Sequence, residues 1–513
     1  MSESNYDTII IGTGLGGLVC GYLLAKNGRK VLLLEKNAQI GGCLQNFKRF
    51  GVKFDTGMHY IGSMGEGEIL QQLFHDIVET HHVASVPTND NEFVETCHGT
   101  SLPKISRLDD NGFDVFSIGG KEYKFAAGYE CFVNTLSMQF PDCRNDIQNY
   151  VKQVRKIAEN SPLYDMSKLE DNSYQDSPYL RLSVNEFLSS ITDNKLLQNV
   201  LAGNLPLYAG VADKTPTYIY ALISNSYIQS AWRIIGGSDT LAKFLADSIR
   251  SFGGKILTQS EVKRVICNET KATAVELSNG EYFEASNFIS NIHPQALIPL
   301  IDSKLIRPIY RKRIQELENT VGNFTIYLKF KENQVPYMNH NFYYYADDDV
   351  WKAYHTAGQK PQSYLYMHQC IEEGQKYAQS AEIMGVMSYQ EVAQWADSKT
   401  GHRSADYYDF KRQKAEQYLD LLEQSFPGIR QNIEAYETST PLTYRDYTGT
   451  TEGSTYGILH DKNNFEQTRI SQRTKIPNLF LTGQNIHWHG ILGVTVGAML
   501  TCRELGIQLT VDS

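Results

Sequence analysis

Short apolar runs punctuated by glycine open the chain. Thr8-Ile9-Ile10-Ile11 halts at Gly12, with the length and β-branched character of a buried strand. Residues 15–26 carry apolar positions at helical spacing, and Asn27-Gly28 supplies a stop signal. A second buried run, Val31 to Leu34, ends at Glu35. Together these segments predict one βαβ unit. Between about Gly128 and Leu222 the period becomes helical, as with Ile147, Val151, Val154 and Ile157 on an otherwise charged stretch. Ser238 is expected to cap a helix carrying Leu241, Phe244, Leu245, Ile249 and Phe252 on one face, with Gly253-Gly254 ending it. Short strands follow at 255–257, 261–265, 272–277 and 288–290, and Asn279-Gly280 is a hairpin turn between the last two. The alternation of Phe324, Ile326, Leu328 and Phe330 predicts a half-buried strand over 323–330, and the stretch from 300 to 470 reads as a mixed sheet with helices.

The glycines between the first strand and helix carry a recognisable chemistry. Gly12-Thr13-Gly14-Leu15-Gly16-Gly17 contains G-x-G-x-x-G at Gly12, Gly14 and Gly17. Such a loop turns tightly out of a strand, brings backbone close to a pyrophosphate, and seats that group at the positive end of a helix. Glu35 at the end of the next strand, followed by Lys36, is placed to accept hydrogen bonds from both ribose hydroxyls. Gly41-Gly42 then supplies a second glycine pair, which tilts the dinucleotide toward FAD. Near the other end, residues 476–482 read as a strand reaching Gly483 and Gln484, and Gly490, Gly493, Val494 and Gly497 open and line a helix. A strand end beside a helix N-terminus can hold a ribityl chain and stabilise negative charge on a flavin.

Bulk properties narrow the remaining classes. The 513 residues are 41% hydrophobic and 21% charged, with a net charge of −10, enough chain for two or more packed domains. That balance argues against nucleic-acid binding and against electrostatic docking on anionic lipid, while apolar peripheral contact with a membrane stays open. The eight cysteines form no C-x-x-C pair, so neither zinc nor iron–sulfur ligation is expected. With no eighteen-residue apolar stretch and no basic segment leading an apolar one at the N-terminus, the expectation is a soluble cytoplasmic protein.

Three blocks extend these motifs: Gly41 to Gly62, Trp232 to Val265, and Asn478 to Leu500. In them the sequence resembles the phytoene desaturase, carotenoid isomerase and retinol saturase family of FAD-dependent oxidoreductases. The resemblance implies an α/β fold of the GR2 type. Its Rossmann-like FAD domain is built from residues 1–70, 226–298 and 471–513. Interleaved with it are a mostly helical lid at 71–225 and a mixed-sheet substrate domain at 299–470. It also implies a hydrophobic polyene substrate and a Val262 backbone lying against the adenine; because Cys502 lies beyond the flavin loop the FAD is expected to be noncovalent, with an external electron donor for which NAD(P)H is a candidate. Gln484 stands where the family often has an acid, and the N-terminal targeting segment and cysteine pair near Cys43 carried by the vertebrate saturases are not expected here. Two alternatives share the architecture: an amine-oxidase or protoporphyrinogen-oxidase type of flavoenzyme, and a non-enzymatic binding protein of the GDP-dissociation-inhibitor type.

Hydride transfer to an alkene needs a proton donor beside the flavin. His59 is the first candidate, because Asp55-Thr56-Gly57-Met58-His59-Tyr60 resembles the family's segment beside the ring. Tyr60 is the second. His487 and His489 flank Trp488 after Gly483 and read more readily as loop histidines bonded to backbone. The aromatic residues at 342–345, with Trp351, Tyr364 and Tyr366, suit either a tunnel wall or an ordinary core. Arg445 suits a substrate anchor or a surface ion pair.

Overall fold

The computed structural model describes residues 6–79, 102–169, 176–354 and 360–507. β1 (Tyr6–Ile11), α1 (Leu15–Lys26) and β2 (Val31–Leu34) form the expected βαβ unit, and β3 (Tyr282–Ser290) pairs with β1 on the other side. Five strands run parallel in the order Lys255–Leu257, β2, β1, β3, Leu479–Leu481. Both faces are covered, which is why β1 reads as a continuous apolar run. Ile10 and Leu33 point into a core shared with α1 and the helix Asp239–Ser251. Ile9, Ile11, Leu32 and Leu34 point the other way, toward Ile306, Ile314 and Ile470.

β3 begins six residues earlier than its apolar run suggests. Its first half pairs with Ala272–Leu277 through a turn at Gly280, and exposed Tyr282, Glu284 and Ser286 hide the strand among polar residues. Ser238 does not cap its helix: at φ −65° and ψ −25° its backbone is already helical, so its side chain cannot reach back. Its hydroxyl instead donates to Asp55 Oδ1 at 2.7 Å.

A second sheet orders Ile433–Ser439, β4 (Gly322–Phe330), β5 (Ser380–Met387), Ser363–His368, Asn341–Tyr345, Asp114–Ile118 and Lys121–Phe125. The last two form a hairpin inside the stretch expected to be mostly helical. The alternating face of β4 packs on the helix Ala405–Ser425, where Phe324 stacks on Tyr418 with ring centroids 5.8 Å apart. The reverse face looks toward the first domain: Tyr327 meets Phe47 and Phe54 of the hairpin Asn46–Arg49 and Val52–Asp55 edge-on, at 4.7 and 5.5 Å. Helices at Tyr129–Gln139, Arg144–Glu159, Val184–Ile191, Lys195–Ala202 and Thr217–Gln229 cover one end. Ile147, Val151, Val154 and Ile157 are buried, as their spacing predicts. Among the described residues, no helix is long and apolar enough to cross a membrane.

Candidate active site

The chain leaves β1 at Gly12, whose φ of +92° is open to glycine at little cost. A Cβ on Gly17 would lie 2.1 Å from the Gly12 carbonyl oxygen, so this glycine lets α1 rest on the loop. Gly41 donates its N–H to the Thr13 carbonyl at 3.1 Å, and a Cβ on Gly42 would stand 3.0 Å from Gly14 Cα. Two glycine turns thus close on each other and leave backbone, not side chain, facing the helix N-terminus. The buried Glu35 carboxylate accepts from the Thr13 N–H (3.1 Å), the Thr13 hydroxyl (2.5 Å) and the Asn37 N–H (2.9 Å). Lys36 Nζ reaches the Asp446 carbonyl at 3.4 Å and Asn37 Nδ2 donates to the Tyr447 carbonyl at 2.7 Å, so residues 446–450 close the far side.

The C-terminal half meets this loop through β6 (Leu479–Leu481) and α2 (Gly490–Glu504). β6 lies parallel to β3, Thr482 N–H donates to the Ser290 carbonyl at 2.9 Å, and the chain turns at Gly483 with φ +97°. Asn291, directly after β3, stands between the halves. Its amide nitrogen would be 2.7 Å from a Cβ on Gly14, and its amide oxygen 2.6 Å from one on Gly16 or Gly483. Sequence reasoning passed over Asn291. Its signal was an asparagine at the end of a strand beside the glycine loop, visible only once that pairing is known.

Gly12, Gly14, Leu15, Gly16, Glu35, Lys36, Gly41, Gly42, Val262, Gly483, Gln484, Gly493 and Val494 all line one cavity of about 500 Å³. His59 and Tyr60 line it too, whereas Gly17 stands behind its wall. Beyond Gly57 the lining turns aliphatic, with Leu163, Leu207, Ile219, Leu222, Ile223, Leu365, Met367 and Met384. The aromatic residues at 342–345, Trp351, Tyr364 and Tyr366 form no part of that wall. They are core, as Phe116 stacked on Tyr343 at 4.8 Å and Tyr344 stacked on Tyr364 at 5.1 Å show. Rings on neighbouring strands of a covered sheet find each other before they find a cavity. Arg445 is likewise no cavity anchor; it pairs with Asp446 at 3.0 Å and donates to the Ser398 carbonyl.

His59 and Tyr60 meet different partners. His59 Nδ1 stands 2.9 Å from Glu382 Oε2, while its buried Nε2 has no protein partner. Burial works to lower the imidazole pKa, but the charges of Glu382 and Asp55 outweigh it and hold His59 above its ordinary value. Asp55 is pushed up to about 6, first by burial and then by Glu382, against two hydrogen bonds from Ser238. The Tyr60 hydroxyl donates to Asp114 Oδ2 at 3.0 Å and shares a 2.5 Å hydrogen bond with the Tyr343 hydroxyl, both behind the cavity wall. Burial raises its pKa well above that of a free phenol, and raises Asp114 to about 7. His489 lines the cavity with Nε2 lacking a protein partner, and burial lowers it to about 3. His487 lies outside the lining, its Nε2 2.5 Å from Gln472 Oε1, lowered by burial to about 4.

The sheet order and the doubled glycine turn define a Rossmann-like dinucleotide site, and residues 10–77 match the family described as an NAD(P)-binding Rossmann-like domain. Over 96% of its length the chain is 26% identical to the all-trans-retinol 13,14-reductase of Rattus norvegicus, covering 84% of that protein. Over 89% of its length it is 23% identical to prolycopene isomerase 1 of an Oncidium hybrid cultivar, covering 76%. Along most of its length the chain is thus similar to proteins named as a retinol reductase and a prolycopene isomerase. Among solved structures, a putrescine oxidase double mutant superposes with a TM-score of 0.62 at 13% identity, spanning 98% of this chain and 99% of that one. At that identity the likeness speaks for the fold.

Proposed function

We propose that this protein is a flavin-dependent oxidoreductase that holds FAD noncovalently and acts on carbon–carbon double bonds of a long apolar polyene, by saturation or isomerisation. One observation carries the reading: a single cavity runs from Glu35, past His59, into an aliphatic chamber. The names of the relatives, a retinol reductase and a prolycopene isomerase, support the same substrate class. The residues fit the cofactor. Glu35 offers a fixed acceptor for ribose hydroxyls, and the glycine loop offers N–H groups at the start of α1. The Val262 backbone lines the adenosine end, and α2 directs its positive end at the cavity from the opposite side.

When bound, a flavin supplies hydride or single electrons, replenished by an external donor of the NAD(P)H class. The protein's own residues do the rest. The aliphatic wall excludes water and aligns an apolar chain without fixing it by hydrogen bonds. His59 lines the cavity, and in this reading its imidazole delivers a proton to a substrate carbon. The Tyr60 hydroxyl, tied to Asp114 and Tyr343, holds the wall behind it.

The test is anaerobic reduction of the reconstituted protein followed by exposure to a series of apolar alkenes. Reoxidation by long polyenes supports the proposal. Protein that stays colourless after reconstitution with FAD overturns the cofactor assignment. Reoxidation by small charged amines alone turns the reading to the amine-oxidase type.

A further inference from the structure

The side of the second sheet that faces the cavity carries one carboxylate among apolar and hydroxyl-bearing side chains. The register sets Thr325 opposite Met384 and Tyr327 opposite Glu382, and beyond them Leu365 and Met367, so these side chains share a face. Leu365, Met367 and Met384 line the chamber, and Glu382 stands among them only 1% exposed. A carboxylate in that position is costly unless it is paired. Gln369 Nε2 donates to its Oε1 at 2.8 Å, and its Oε2 meets His59 Nδ1 at 2.9 Å. Arg233, the nearby guanidinium, is committed elsewhere: to the Tyr337 hydroxyl, the carbonyls of Met338 and His340, and the Asn341 side chain.

Resting on the reading of His59 as proton donor, we propose that Glu382 is its positioning residue: from the second sheet its carboxylate stands at ion-pair distance from Nδ1 and holds the ring at the cavity wall. A carboxylate at ion-pair distance from one ring nitrogen favours the protonated imidazole and orients the ring toward it. The pair also spans the two domains, so the proton donor is complete only when the second sheet is docked on the first.

The other buried histidines give the contrast. His293, His340, His460 and His487 are lowered to about 4, and His368 and His489 to about 3, burial being the first cause in each. His59 stands within ion-pair distance of a carboxylate, and its pKa moves the other way. The groups that act on the pair from the packed elements are Asp55 on the hairpin, Arg233 on Ala231–Ile234, Tyr327 on β4 and Tyr444 on Pro441–Thr448. Asp55 titrates near neutrality itself, so it needs its own control.

The experiment follows imidazole nitrogens by NMR in FAD-loaded protein labelled with ¹⁵N-histidine, with His59 assigned through His59→Gln. In the wild type, His59 should stay protonated at pH 6 while the six histidines above are neutral. Glu382→Gln should lower its midpoint by about 1–3 pH units, the scale for losing an opposite charge at this distance. Asp55→Asn should lower it less. An unchanged midpoint in Glu382→Gln overturns the pairing, and should His59→Ala still slow reoxidation by an alkene, the proton-donor reading survives without it. A lowered midpoint with an unaltered pH profile of reoxidation sustains the pairing and sinks the proton-donor reading. If Glu382→Gln fails to fold, the wild-type titration decides: His59 neutral at pH 6 overturns the proposal.

Discussion

At the scale of single residues, the site depends on atoms that are missing as much as on those present. Gly14 faces Asn291 Nδ2 so closely that even one methyl carbon would stand 2.7 Å away. Gly14→Val should therefore abolish FAD binding, read as loss of visible absorbance after reconstitution and gel filtration. Glu35 works differently, because its carboxylate is already held by Thr13 and Asn37. Glu35→Ala should weaken FAD by about 1–3 kcal/mol, the scale of hydrogen bonds to a charged acceptor, measurable by calorimetric titration. If both variants keep stoichiometric flavin, the glycine loop is not the cofactor site. His59→Ala should leave flavin content intact and slow reoxidation by an alkene about 10²–10⁴-fold, the usual share of general acid catalysis. Wild-type turnover in that variant would reduce His59 to a link between domains.

At the scale of elements, the strand Asp114–Ile118 enters the second sheet carrying a buried acid at its first position. Asp114 Oδ1 accepts from Asn341 Nδ2 at 2.8 Å and Oδ2 from Tyr60, with the pKa raised by burial from 3.8 to about 7. A raised carboxyl binds its proton more tightly in the folded state. Its contribution is therefore full below about pH 4 and is lost as pH rises through about 7, by up to about 1.4 kcal/mol per pH unit between them. Asp114→Asn mimics the uncharged acid in shape, with one oxygen to accept and an NH2 group to donate. It should flatten that part of the stability profile, as followed by urea denaturation between pH 5 and 8; an unchanged slope would show that Asp114 titrates normally. Legibility varied between elements for physical reasons. β1, α1 and β2 could be read because both faces of the sheet are covered and glycines mark their ends. The alternating pattern of β4 marked a true strand, but alternation says that a face is buried, not against what. That face meets the helix Ala405–Ser425, and the cavity is lined by aliphatic residues from Thr217–Gln229 and neighbouring strands, which carry no distinguishing pattern. Glu382 could not be seen at all, since one glutamate in a strand gains meaning only from what lies across from it.

At the scale of the whole molecule, the cofactor cradle draws on distant segments. Bound FAD should raise the melting temperature in proportion to the logarithm of its free concentration, because it contacts groups that come together only in the folded state. A melting temperature that ignores added FAD would mean that the cavity is not its binding site. The position of β6 has a consequence for how the protein is made. Leu479 pairs beside Phe288, Cys20 on α1 packs against Ala498 and Cys502 on α2, and no earlier part of the chain supplies those contacts. During synthesis the ribosome must deliver the chain past residue 481 before the parallel sheet gains this strand. Until then the edge of β3 is open and the apolar face of α1 is uncovered, so the nascent chain is a client for chaperones rather than for flavin. Ribosome-bound chains stalled at residue 470 should take up no FAD, while chains released with α2 complete should become yellow, with the colour marking the moment β6 and α2 meet β3 and α1.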